Sequence, residues 1–188
     1  LPNWYEEFGT KKVQDAFKER FKGNKGLAHT YFDDIEEVHK KSSYQDQNEK
    51  DLMVRKNYDA LGSFNKSDRS EALDLLGVKT QLVFPTSPNV WLESLEHSDE
   101  LDLLYEVASA TNRTQIDFCS EDKRLFPVAY VPLANLEKAN ETAKEALQMG
   151  AKALLIPWAC PKRHSTSHIE LDKVWAQAQE AGVPILFH

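Results

Sequence analysis

Most of the side chains best suited to chemistry fall in the second half of this sequence. His188 follows the apolar run Ile185-Leu186-Phe187 directly, and a neutral imidazole at the carboxyl end of a strand is a preferred ligand for zinc and related divalent ions. The other reading is a capped surface histidine at a strand end. Trp91 and Trp158 are large flat surfaces suited to an aromatic or conjugated small molecule, and Arg163 or His164 could meet its carboxylate. For both tryptophans packing is the alternative. Cys160, His164 and His168 recur every four residues, which resembles metal-ligand spacing on a helix. Pro161 breaks that helix and His168 falls at the start of the next, so both weigh against a structural zinc there. His29, His39 and His97 stand in polar surroundings and read as solvated. His29, beside Tyr31 and Phe32, is the one to test as a loop contact.

The elements that position these residues are signalled by a pattern that occurs three times: an amphipathic helix stops at a glycine and an apolar strand begins about two residues later. Leu73 to Gly77 lead into Leu82-Val83-Phe84-Pro85, Leu147 to Gly150 into Ala153-Leu154-Leu155-Ile156-Pro157, and Ala178 to Gly182 into the run that ends at His188. A fourth strand is predicted at residues 126–131, bounded by Pro132. Thr10 starts a helix carrying Val13, Ala16, Phe17 and Phe21 on one side, with Gly23 as its stop. Ser98 starts another with Leu101, Leu104, Tyr105 and Ala108 inward. Asn135 caps a third lined by Ala139, Thr142, Ala143, Ala146 and Leu147, and Ser167 with Glu170 forms a capping box ahead of Leu171, Val174, Trp175 and Ala178.

From residue 67 onward strands and helices therefore alternate, and the strands are continuous apolar runs. That pattern indicates a parallel α/β sheet covered by helices, either part of a (βα)8 TIM barrel, with about four of its strands, or a doubly wound open sheet. In both, function gathers at the carboxyl ends of the strands, so residues 86–91 and 158–168 are the expected substrate loops. Arg124, just before a strand, belongs at the opposite rim, where an ion pair is expected. Residues 1–66 read as a mostly helical and irregular excursion packed on the barrel, with a partly disordered linker as the other reading. Residues 67–188 form the barrel segment.

Composition limits the class. The 188 residues, 41% hydrophobic and 28% charged, suffice for one substantial core. A net charge of -7 without a basic run argues against nucleic acid, and no apolar run approaches the roughly 20 residues of a membrane helix. Two distant cysteines and no leader pattern fit a reducing cytoplasm. The chain opens at Leu1 rather than Met, so sequence upstream is expected to be missing or cut away.

The stretch Gly182-Val183-Pro184-Ile185-Leu186-Phe187-His188, preceded by Leu171-Asp172-Lys173-Val174-Trp175, resembles the amidohydrolase-related branch that includes aminocarboxymuconate semialdehyde decarboxylase and the resorcylate decarboxylases. So do Leu73 to Val78 leading to Phe84-Pro85-Thr86, Arg124-Leu125 leading to Val131-Pro132-Leu133, and Ala139 to Gly150 leading to Ile156-Pro157. The resemblance covers roughly residues 67–188. It implies a barrel enzyme with a divalent metal, zinc or manganese, acting on a small carboxylated or aromatic molecule by hydrolysis or nonoxidative decarboxylation, with His188 as the metal-binding histidine of the fifth strand. The family's other ligands, a His-x-His pair and an Asp, have no counterpart in this sequence. One imidazole does not hold a catalytic ion, which takes about three protein ligands. The piece alone is therefore expected to lack metal-dependent turnover, and its raw strand edges to favour aggregation or pairing with another chain, a homodimer included. A noncatalytic barrel relative and an open α/β small-ligand domain remain the alternatives.

Overall fold

The computed structural model describes residues 2–20, 35, 37–55 and 57–188. In chain order it forms α1 (Pro2–Phe8), α2 (Lys11–Arg20), α3 (Ser42–Gln45), α4 (Asn48–Asp51), a 3-10 turn (Asn57–Asp59), α5 (Lys66–Leu76), β1 (Gln81–Val83), α6 (Thr86–Glu96), α7 (Leu101–Phe118), β2 (Leu125–Tyr130), α8 (Leu136–Met149), β3 (Ala153–Ile156), a 3-10 turn (Ile169–Leu171), α9 (Asp172–Ala181) and β4 (Ile185–Phe187). His29, Phe21 and Gly23 lie outside the described residues. None of the described helices is long and apolar enough to cross a membrane.

The four strands are parallel and hydrogen-bonded in sequence order, with Leu82 opposite Phe126, Ala129 opposite Leu154 and Leu155 opposite Leu186. A doubly wound sheet reverses its strand order at a switch point. Among the described strands there is no reversal, and the sheet curls into a half-barrel. Side chains alternate between its faces. Ala129, Val131, Leu154 and Ile156 pack outward against Ala139, Ala143 and Ala146 of α8 and Val174 and Ala178 of α9. The three alanines bring α8 close to the strands. Val128, Tyr130, Ala153, Leu155 and Leu186 pack from the other face, in one core with Trp91, Leu92 and Leu95 of α6.

The glycine stops behave as the sequence requires. Gly150 and Gly182 take φ of 104° and 64° at the ends of α8 and α9, a region that side chains with a Cβ resist. Helix starts differ in detail. Asn135 does cap α8, its Oδ1 accepting the Lys138 N–H at 2.9 Å. Ser98 instead spans the α6–α7 turn, donating to the Leu95 carbonyl and accepting the Glu100 N–H. Ser167 does not cap the helix it precedes; that place is taken by His168, whose Nδ1 accepts the Glu170 N–H. Arg124 forms the expected ion pairs, with Asp122 and Asp74, at the amino end of β2.

The first two helices pack on α6 and α7. The Tyr5 hydroxyl lies 3.2 Å from the Thr111 hydroxyl, its ring meets Trp91 edge-on at 5.4 Å, and Thr10 donates to Glu106. Farther along, His39 is buried rather than solvated, stacked on Tyr44 at 4.2 Å and near Phe64 at 4.9 Å. The Tyr58 backbone lies close, yet neither ring nitrogen makes a well-formed hydrogen bond to a described residue. Burial holds this imidazole below its ordinary value of 6.5. The unfolded chain therefore takes up the proton first, and stability is lost as pH falls below about 6.5. Denaturant titrations of the parent and of His39→Phe should diverge between neutral and mildly acidic pH, with the parent falling faster. Parallel curves would show that the ring is not the titrating group.

Candidate functional site at the carboxyl rim

Four chain segments meet at the carboxyl ends of the strands. Phe84 and Pro85 follow β1, residues 131–135 follow β2, residues 157–168 follow β3, and His188 follows β4. The β3–β4 ladder runs on past the strands proper. The His188 N–H donates to the Ile156 carbonyl at 3.3 Å, and the Trp158 N–H donates to the His188 carbonyl at 3.2 Å. Both backbones are thereby fixed beside each other at the rim.

His188 shares a face with Leu186 by strand alternation, the same face on which Phe84 follows Leu82. Its ring lies 6.4 Å from the Phe84 ring, inclined at 39°. In a flat sheet the outer two of four strands stand about 14 Å apart. Rings at both ends approach this closely only when the sheet curls and both point into its concave side. The imidazole is exposed, and Leu82 and Phe84 beside it are partly open to solvent.

The remaining candidates are distributed unevenly. Trp158 is 71% exposed next to His188. Arg163 is exposed and 3.6 Å from Asp99, which also holds Lys162 at 2.8 Å. His164 is engaged on both sides: Nε2 is 2.7 Å from the Leu133 carbonyl and Nδ1 is 3.0 Å from the Ser165 carbonyl. A ligand would have to displace one of these contacts to reach a ring nitrogen. The loop expected at residues 86–91 is instead the first half of α6, because Trp91, Leu92 and Leu95 form a helical apolar stripe. Trp91 is 6% exposed, enclosed by Tyr5 and Phe17.

No metal cage assembles from what is present. Among the described residues no three His, Cys, Asp or Glu side chains are placed to share an ion. The four-residue spacing of Cys160, His164 and His168 brings the two imidazoles together, at 5.6 Å and edge-on, with both His164 nitrogens and His168 Nδ1 turned to backbone groups. His188 supplies one nitrogen, and the described side chains do not complete a coordination shell around it.

Two rim residues escape a reading of the sequence. Glu96, on the last turn of α6, is 1% exposed. Its Oε1 accepts the Leu133 N–H at 2.6 Å, while Oε2 has no hydrogen-bond partner among the described residues. Burial pushes its carboxyl up to about 7, against the pull of the Leu133 and Ala134 amides. The Tyr130 hydroxyl, facing Glu96 and Glu93, is also buried without a hydrogen-bond partner among the described residues. The one signal in the sequence is an acid four residues after Leu92, on the apolar stripe of α6.

No family model matches this chain, and no curated protein sequence does. Among solved structures it is similar to the crystal structure of an amidohydrolase from Mycobacterium avium subsp. paratuberculosis K-10, with a TM-score of 0.58 and 26% identity over 68% of this chain and 35% of that one. The chain thus spans about a third of the neighbour's length. Neither sequence comparison supports the narrower decarboxylase branch. The architecture is that of part of a TIM-type barrel, and its likeness to this neighbour supports a relative among the amidohydrolase-type enzymes.

Proposed function

We propose that this chain is the middle segment of an amidohydrolase-type barrel enzyme acting on a small carboxylated, aromatic or conjugated molecule, by hydrolysis or nonoxidative decarboxylation. The observation that supports it is the inward-facing imidazole of His188 on the concave side of a curled parallel sheet, beside the exposed indole of Trp158. In this reading His188 gives one ligand to a divalent ion, zinc or manganese, whose other ligands come from strands outside this chain. When bound, such an ion polarises substrate or water. The chain's own residues bind and orient. Trp158 offers its face to a planar substrate, and Arg163 meets a carboxylate after sharing Asp99 with Lys162. His164 joins them by releasing the Ser165 carbonyl, and Trp91 supports the site from within the core. The open edge of β4 is where further strands, or a second copy, would pair.

The test is metal content. In the longest natural polypeptide containing this segment, His188→Ala should lower bound metal by about tenfold or more at fixed free metal, since even groups that only orient ligands change affinity by about 10–100-fold. Trp158→Ala should leave metal content unchanged and weaken substrate binding. Full metal occupancy in the His188→Ala protein would sink the assignment.

A further inference from the structure

Glu96 and His164 lie on different segments, and one residue, Leu133, joins them. The Glu96 carboxylate receives the Leu133 N–H at 2.6 Å and faces the Ala134 amide. The Leu133 carbonyl belongs to the same peptide group as the Ala134 N–H, and it is the group that His164 Nε2 approaches at 2.7 Å. A carbonyl oxygen only accepts, so Nε2 carries the hydrogen in this contact. We propose that Glu96 is a positioning residue for the loop after β3: by holding the Leu133 N–H it fixes the residue whose carbonyl His164 grips, and so sets how firmly the segment bearing Trp158 and Arg163 is fixed to the rim.

The physical basis is the strength of a charge-assisted hydrogen bond. An N–H bonded to an ionised carboxylate is held about twice as strongly as one bonded to a neutral group, so a charged Glu96 fixes Leu133 and with it the carbonyl that His164 meets. An ionised Glu96 therefore tightens the His164 contact, and a protonated one relaxes it. The second carboxyl oxygen, buried and unpartnered among the described residues, is where the proton resides when it is taken up. The groups that face this unit are few. Tyr105 from α7 and Tyr130 from β2 lie near Glu96, and Glu93 of α6 faces Tyr130. Around His164 stand the His168 ring at 5.6 Å and the neighbouring Lys162 and Arg163, both paired with Asp99. Because burial brings the Glu96 carboxyl to about 7, the device acts in the neutral range, loose on the acid side and tight on the alkaline side.

The bearing of this contact on substrate rests on reading Trp158 and Arg163 as substrate contacts, but the coupling itself is read without any ligand. Amide and indole nuclear magnetic resonance signals of the full chain are followed as pH crosses neutrality. In the parent, Leu133, Ala134 and residues 158–163 should share a transition at about 7. Glu96→Gln should abolish it in both segments, and Glu96→Asp should restore it with smaller amplitude. His164→Ala should retain it at Leu133 and Ala134 and lose it in residues 158–163. A loop transition that survives Glu96→Gln, or that survives His164→Ala, overturns the proposal. Should either variant fail to fold, the parent still decides: no common transition in the two segments refutes the coupling. Full metal occupancy in His188→Ala, with this pattern intact, would overturn the proposed function alone.

Discussion

Glu96→Gln is expected to be more stable than the parent protein at pH 8 by about 2–3 kcal/mol, and to match it near pH 5. The folded-state carboxyl keeps its proton up to about 7, whereas an unfolded glutamate loses it near its ordinary 4.5. Below 4.5 both states are protonated and the buried acid costs the fold little. As pH rises through 7 the folded protein must hold a charge in the core, and the stability that the neutral form contributed is lost. Each tenfold change in proton affinity is worth about 1.4 kcal/mol, so the gap corresponds to about 3 kcal/mol at full burial, with relaxation lowering it. The substituted amide keeps an oxygen for the Leu133 N–H and never ionises. Denaturant titration at both pH values measures the difference. A variant equally offset from the parent at pH 5 and pH 8 would show that Glu96 is not the buried titrating group.

That residue also marks where sequence stops being informative. The three glycine-stopped helices and the strands after them are readable, because a positive φ that calls for glycine and uninterrupted apolar runs each leave a local trace. The strand end at His188 follows from the same trace. The burial of Glu96 does not, since an acid on a helix is ordinarily solvated and only the fit of α6 against the 131–135 turn encloses it. Trp91 is legible as an aromatic but not as a core residue, because its neighbours Tyr5 and Phe17 come from helices far away in sequence. His164 shows the converse: its type suggests a ligand contact, and its surroundings place a backbone carbonyl against each nitrogen. Residue type sets what a side chain can do, and the tertiary neighbours decide which of those options remains.

Asn112 shows how much one such neighbour can carry, and Asn112→Ala is expected to cost about 3 kcal/mol. β1 pairs with residues 125–127 of β2, so on that side, among the described residues, the upper half of β2 has no strand beside it. The β2 backbone alternates its hydrogen-bonding direction, with Val131 donating to β3 and Tyr130 turned to the open side. Asn112 of α7 closes that edge with its amide: Oδ1 accepts the Tyr130 N–H at 2.7 Å and Nδ2 donates to the Tyr130 carbonyl at 2.9 Å. The side chain is 1% exposed, so removing it strands two buried backbone groups, each worth about 1–3 kcal/mol when left unpaired. Gln115, one turn on, donates only to the Val83 carbonyl. Its replacement by Ala removes one contact and should cost about half as much. Hydrogen exchange locates the effect: in Asn112→Ala the Tyr130 amide should lose protection ahead of the Leu154 and Leu155 amides on β3, because the helix-side contact fails before the strand ladder does. A loss below about 1 kcal/mol, or a Tyr130 amide that stays protected, would mean that water or a shifted α7 replaces the side chain and that the helix, not this amide, seals the strand.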